Sequence, residues 1–188
     1  MKRDQSLKLL SITNHVDDRG FFAETYSAKS YMGKGVNVEF VQDNFSLSRD
    51  AGTIRGLHFQ SPPKAQAKLI SCIRGAIFDV AVDIRKGSPN FGTWEAFKLT
   101  QNNGKQLYVP TGFAHGFITL EPDSEVIYKC SNYYAPEAEC SIIWNDPNLA
   151  IDWPLDKKPI VSDKDSIASS FKDFRTPFIF GVNSWRFL

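Results

Sequence analysis

Two short stretches hold the side chains best suited to moving protons. Ile54-Arg55-Gly56-Leu57-His58-Phe59-Gln60 and Pro110-Thr111-Gly112-Phe113-Ala114-His115-Gly116-Phe117 each set one histidine among glycines and aromatics. The chain has 3 histidines, and the third, His15, lies in a polar N-terminal run. Imidazole is the side chain most easily poised to give or take a proton near neutral pH. Two imidazoles in such similar settings point to one shared site. The plainer alternative is a pair of buried, hydrogen-bonded core histidines.

Composition narrows what such a site could serve. A chain of 188 residues suits one domain, 1–188, with a core over about 15–155 and a helical or extended segment over 156–188. Lys and Arg total 22 against 21 Asp and Glu, a net charge of +1. No basic stripe stands out, so nucleic acid is not an expected partner. The apolar patch from Leu7 to Ile12 is interrupted by Lys8 and Ser11. It is too short for a signal peptide or a membrane span, so a cytoplasmic enzyme or binding protein is expected. Cys72, Cys130 and Cys140 show no CxxC spacing and read as reduced thiols, not as a disulfide framework or a structural zinc site.

The elements that must position the histidines read as short strands. A turn at Asp18-Arg19-Gly20 feeds a strand in which Phe22, Glu24 and Tyr26 share a face. Ser27 to Gly33 reads as one short helix. In the strand from Val38 to Ser46, Gln42, Asn44 and Ser46 point the same way, which makes a recognition surface if that face lines a cavity. Strands follow at Arg55–Gln60, 65–73, 77–85, 93–100, 106–109, 115–120 and 125–134, the last with Val126, Tyr128 and Cys130 on one face. Gln101-Asn102-Asn103-Gly104 is a turn that favours a hairpin. A short strand is expected over Ser141–Trp144, and a short helix over Asp163–Ser170 with Ser162 as its cap. The tail from Phe171 to Leu188 carries five Phe and a Trp, enough to require packing on its own domain or on a partner chain. Many short strands between Gly, Pro and Asn turns indicate an all-β sandwich or barrel.

Gly104, Pro110, Gly112 and His115 match the second cupin motif: glycine, five residues, proline, one residue, glycine, two residues, histidine. The chain thus resembles a cupin, a double-stranded β-helix or jelly roll, here with short peripheral helices and a C-terminal aromatic tail. Metal-binding cupins carry two histidines one residue apart, followed by a carboxylate. Here His58 is followed by Phe59 and Gln60, so a metal-free site is expected. A closer resemblance appears when the segments are taken together. Asp18–Phe22, Val41–Asn44, Arg55–Gln60, Gln66–Leu69, Phe78–Arg85, Gly112–Phe117, Tyr128–Cys130 and Ser162–Asp165 run in the order seen in dTDP-4-dehydrorhamnose 3,5-epimerases.

That resemblance implies epimerisation at C3 and C5 of dTDP-4-keto-6-deoxyglucose, on the route to dTDP-rhamnose, without a cofactor. Such chemistry needs a base on one face, a group to stabilise the enolate, and an acid on the other face. The resemblance makes His58 the base, Asp165 its partner, Lys68 the enolate stabiliser and Tyr128 the acid. It makes Arg19, Glu24, Gln42, Asn44, Arg55, His115, Glu139 and Lys164 substrate-binding residues. It also implies a homodimer whose exchanged N-terminal strands bring Arg19 and Glu24 to the partner's site. Strict alternation puts Arg55 and His58 on opposite faces, so a shared site requires a turn or bulge near Gly56. Alternatives are a single-site epimerase of another nucleotide sugar, a metal-dependent cupin oxygenase or isomerase, and a non-catalytic sugar-binding cupin.

Overall fold

The computed structural model describes residues 6–182. Its strands are β1 (Lys8–Ser11), β2 (His15–Asp17), β3 (Gly20–Phe22), β4 (Gln42–Ser48), β5 (Ile54–Gln60), β6 (Lys68–Arg74), β7 (Ala76–Asp83), β8 (Trp94–Thr100), β9 (Lys105–Val109), β10 (Phe113–Thr119), β11 (Ser124–Cys130) and β12 (Glu139–Ser141). Two short helices, α1 (Ala28–Gly33) and α2 (Asp163–Ser166), lie outside them. One five-stranded sheet has the order β1-β9-β6-β11-β4 and the other β12-β5-β10-β7-β8; β2 and β3 form a separate hairpin. From β4 onward the chain passes back and forth between the two large sheets, except at the β7–β8 hairpin within one of them, the winding of a jelly roll.

Three apolar layers follow from the alternation of side chains along each strand. Ile70, Leu107, Val109 and Val126 meet Ile77, Ala81, Leu99 and Phe117 between the sheets. The outer face of the second sheet, with Leu57, Val80, Val82 and Ile118, is covered by Trp153, Phe171, Phe174 and Phe178. The outer face of the first, with Leu69 and Tyr108, is covered by Tyr26, Tyr31 and Val36. Phe171, Phe174 and Phe178 of the C-terminal tail therefore pack on their own chain, while Phe180 stays exposed beside Arg85; Trp185 and Phe187 lie outside the described residues.

Several boundaries differ from the sequence reading, each for a local reason. The turn at Asn103-Gly104 closes no hairpin. It carries the chain from β8 in one sheet to β9 in the other, because turn chemistry specifies a reversal and not the next pairing partner. The strand expected through Tyr26 ends at Phe22, so Glu24 lies in the irregular chain before α1. The strand expected at 141–144 is β12, and it begins earlier, at Glu139. The helix capped by Ser162 is a single turn, with the Ser162 hydroxyl accepting from the Asp165 N–H. β1 was not anticipated; its four residues add an edge strand beside β9.

Candidate active site

The site begins at an irregularity in β5. His58 pairs with His115 and Arg55 with Phe117, so β5 spends three steps where β10 spends two. This is a β-bulge, and it falls at Gly56 and Leu57. Gly56 has φ of +130°, and the Gly56–Leu57 peptide is cis. A Cβ at Gly56 would stand 2.5 Å from Gly116 Cα and 2.8 Å from His115 O, so β5 and β10 touch here backbone to backbone. The bulge reverses the alternation. Ile54, Leu57 and Phe59 all enter the outer core, while Arg55 and His58 line one cavity between the sheets. The condition for Arg55 to share the site is therefore met. Its Nε donates to Ser48 Oγ at 3.1 Å and its Nη2 to Leu47 O at 3.1 Å, which seats the guanidinium against β4.

Asp165 reaches His58 from a distant part of the sequence. His58 Nε2 lies 2.6 Å from Asp165 Oδ1, and the Gly56 N–H donates to Asp165 Oδ2 at 3.3 Å. The bulge thus holds the carboxylate with the same amide that re-aims Arg55. Burial pushes the Asp165 carboxyl up, but the bonds and charge from His58 and the Gly56 amide outweigh it, leaving the group below the usual range. An ionised carboxylate accepts the Nε2–H, which leaves the lone pair on Nδ1 free to take a proton.

The opposite wall belongs to the other sheet. Lys68 on β6 and Tyr128 on β11 both line the cavity, with Lys68 Nζ 5.7 Å from the Tyr128 ring centre. β6 is the central strand of its sheet, so Lys68 is no solvated edge lysine. Burial lowers its pKa, against the opposing pull of Cys130, Asp79 and Glu139. Burial raises that of Tyr128, partly offset by a hydrogen bond from Asn44 and the charge of Arg55. Gln42 and Asn44 project from β4 beside them. Gln42 Nε2 donates to Asn44 Oδ1 at 2.9 Å, and Gln42 Oε1 accepts from the Tyr134 N–H at 2.9 Å.

The cavity has two lobes of about 490 and about 520 Å³. His58, Lys68, Tyr128 and Glu139 line both, and so mark where the lobes meet. Gln42, Asn44 and Tyr134 line the first; Arg55, His115, Lys164 and Asp165 line the second. Glu139 Oε2 is 2.6 Å from Lys164 Nζ and accepts from Tyr134 Oη at 2.8 Å. Burial raises Glu139, but Lys164 and Tyr134 outweigh it and hold the carboxyl low. His115 Nε2 lies 2.5 Å from Asp79 Oδ1, and Asp79 is fully buried. The Gln60 amide, by contrast, is spent on backbone: it accepts from the Ala135 N–H and donates to Lys64 O and Tyr133 O.

Ten of the twelve site residues expected from sequence therefore come together in one chain. Arg19 and Glu24 stand apart. The Arg19 side chain is 90% exposed and pairs only locally, with Asp17 at 2.6 Å, and Glu24 accepts from Ser30 Oγ at 3.1 Å. Sequence reasoning missed Asp79 and Tyr134. Asp79 was visible as an acid within the most apolar strand, a placement that calls for a buried partner. Tyr134 falls within the strand expected over 125–134, but β11 ends at Cys130, so Tyr134 lies in the loop beyond it and its place in the site does not follow from strand alternation.

The chain matches the family model described as dTDP-4-dehydrorhamnose 3,5-epimerase over residues 5–173. It is 50% identical over 153 residues to a dTDP-4-dehydrorhamnose 3,5-epimerase of Salmonella typhimurium, covering 81% of this chain and 83% of that one. Among solved structures it is similar to the enzyme of that name from Bacillus anthracis with TDP and PPi bound. That match has TM-score 0.85 and 52% identity, covering 87% of this chain and 93% of the other. It is also similar to a dTDP-6-deoxy-D-glucose-3,5-epimerase of Legionella pneumophila in complex with dTDP-4-keto-L-rhamnose. There the TM-score is 0.86 and the identity 47%, covering 90% of this chain and 89% of the other.

Proposed function

Because this chain belongs to the dTDP-4-dehydrorhamnose 3,5-epimerase family, we propose that His58 removes the protons at C3 and C5 of dTDP-4-keto-6-deoxyglucose and that Tyr128 returns them. The protein is an isomerase, a 3,5-epimerase of this nucleotide sugar on the route to dTDP-rhamnose. One observation carries the assignment of roles. His58 and Tyr128 line the same cavity from opposite sheets, so a ring between them is deprotonated from one face and reprotonated from the other. That opposition is what inverts a carbon centre.

The C4 ketone acidifies the hydrogens on C3 and C5. His58 Nδ1 takes one of them, and Asp165 stabilises the imidazolium that results. The electron pair moves onto the C4 oxygen as an enolate, and the Lys68 ammonium stabilises that charge. Tyr128, kept protonated by burial, delivers its proton to the opposite face. The resulting phenolate sits beside the Lys68 ammonium, and proton exchange with solvent resets both groups. Arg55 supplies charge-assisted bonds to the diphosphate. Gln42, Asn44, His115, Glu139 and Lys164 hold the rest of the substrate.

We further infer a homodimer in which Arg19 and Glu24 of one chain complete the nucleotide site of the other. Support comes from the β2–β3 hairpin, where Val16, Phe21 and Phe22 are 78%, 62% and 73% exposed in the single chain. Mixing Arg19→Ala with His58→Ala chains then restores activity that neither has alone. The cytoplasmic location that we assign accords with three free cysteines. The reaction itself is tested by product analysis in heavy water. Deuterium at both C3 and C5, with both centres inverted, is expected; inversion at one centre would make the protein a single-site epimerase.

A further inference from the structure

We propose that Ser46 is a substrate-binding residue whose Oγ hydrogen-bonds a hydroxyl of the keto sugar's ring. The inference rests on the epimerase reading and adds a contact to it. Among the described residues, two buried side-chain polar atoms have no hydrogen-bond partner: Ser46 Oγ and Asp79 Oδ2. Asp79 lies beneath His115, which takes its other oxygen. Ser46 lines the lobe that also holds Arg55, His58, Lys68, His115 and Tyr128.

Its neighbours on β4 are all committed. Gln42 and Asn44 bond to each other, and Ser48 Oγ accepts from Arg55 Nε at 3.1 Å. Only the Ser46 hydroxyl, on the same inward face, has neither donor nor acceptor filled. A buried hydroxyl left unpaired costs stability, and it persists where a ligand completes it. The register gives its position relative to the acid. Ser46 pairs with Val126 and Asn44 with Tyr128. Ser46 is therefore one inward step from the Tyr128 column, roughly 7 Å along the strand, a step on the scale of one sugar ring. The anionic part of the substrate has Arg55 to meet it. A neutral hydroxyl in this position matches a neutral hydroxyl next to the reacting carbons.

Ser46→Ala tests this beside the wild type, with three readouts. Turnover of dTDP-4-keto-6-deoxyglucose is expected to lose about tenfold to a hundredfold in kcat/KM. The Kd for dTDP, which lacks the sugar, should stay within about twofold. The Tm of the ligand-free protein should hold or rise, because an unpaired buried hydroxyl has been removed. Unchanged kcat/KM overturns the proposal. So does a parallel loss of dTDP affinity, which would move the contact to the nucleotide diphosphate. A lower ligand-free Tm would make the hydroxyl a structural partner and overturn it too. Absent wild-type turnover would sink the epimerase reading itself, whereas wild-type turnover that Ser46→Ala leaves intact would sink only this contact.

Discussion

The two sheets that enclose the cavity control their ionisable groups by different means. On the sheet with β5 and β10, each imidazole rests on a carboxylate: His58 on Asp165 at 2.6 Å and His115 on Asp79 at 2.5 Å. On the sheet with β6 and β11, burial dominates, pushing Lys68 down and Tyr128 up. A carboxylate behind an imidazole holds the hydrogen of the facing ring nitrogen, fixes the ring's orientation and leaves the lone pair of the other nitrogen open to the cavity. Burial behind a phenol keeps it protonated and ready to donate. Burial around an ammonium leaves it poorly solvated, so an enolate forming nearby gains more from it than in water. On the proposed division of roles, the difference lets one small cavity hold a base and an acid at the same pH, because each wall sets its own environment.

Removing the proposed base should have the largest effect on that arrangement. His58→Ala is expected to lower kcat about 1,000- to 10,000-fold, with dTDP affinity retained. A loss under about tenfold would mean that the carboxylate-backed wall does not supply the base.

The buried wall is tested next, through pH. Lys68 loses its proton below the ordinary lysine value of 10.5. Because the lowered group is a cation, its charge is present at low pH and lost as pH rises through the folded value. The alkaline limb of kcat/KM should therefore fall earlier than a free lysine would allow. Lys68→Met should cost about 100- to 1,000-fold at all pH. Lys68→Arg keeps its charge beyond about pH 12 and should move the limb upward. A limb that stays put in Lys68→Arg belongs to another group.

The bulge that joins the two strategies can be attacked at Gly56. Its φ of +130° and the 2.5 Å approach of Gly116 leave no room for a methyl. Gly56→Ala should lose about 2–4 kcal/mol in denaturant unfolding. Wild-type stability in that variant would mean that β5 can relax without its bulge. The smallest effect belongs to the rim. Lys164 is 54% exposed where it meets Glu139, so Lys164→Ala should change stability by at most about 1 kcal/mol. A larger loss would mean that the rim pair holds α2, and with it Asp165, in place.

What could be read from sequence follows the range of the forces involved. The inward set on β4 and the Val126, Tyr128, Cys130 face were legible because alternation is local. So was the need for a bulge, since Arg55 and His58 could share a cavity only if Gly56 broke the alternation. Spacing alone could not join His58 to Asp165, which are separated by 107 positions; only family resemblance paired them. The same limit hid Asp79, whose strand face was clear but whose partner, His115, comes from β10. Turn chemistry at Asn103-Gly104 marked a reversal correctly, yet the choice of sheet for β9 depends on packing across the whole roll.

The claim that base and acid act from opposite walls is tested most directly by Tyr128→Phe in heavy water, followed by NMR of the recovered sugar. With His58 intact, deuterium should still enter at C3 and C5, while inverted product falls about 100-fold or more. Deuterium would then be returned on the face from which the proton left. If Tyr128→Phe abolishes exchange as well as inversion, Tyr128 acts in proton removal, and the division of roles between the two sheets is wrong.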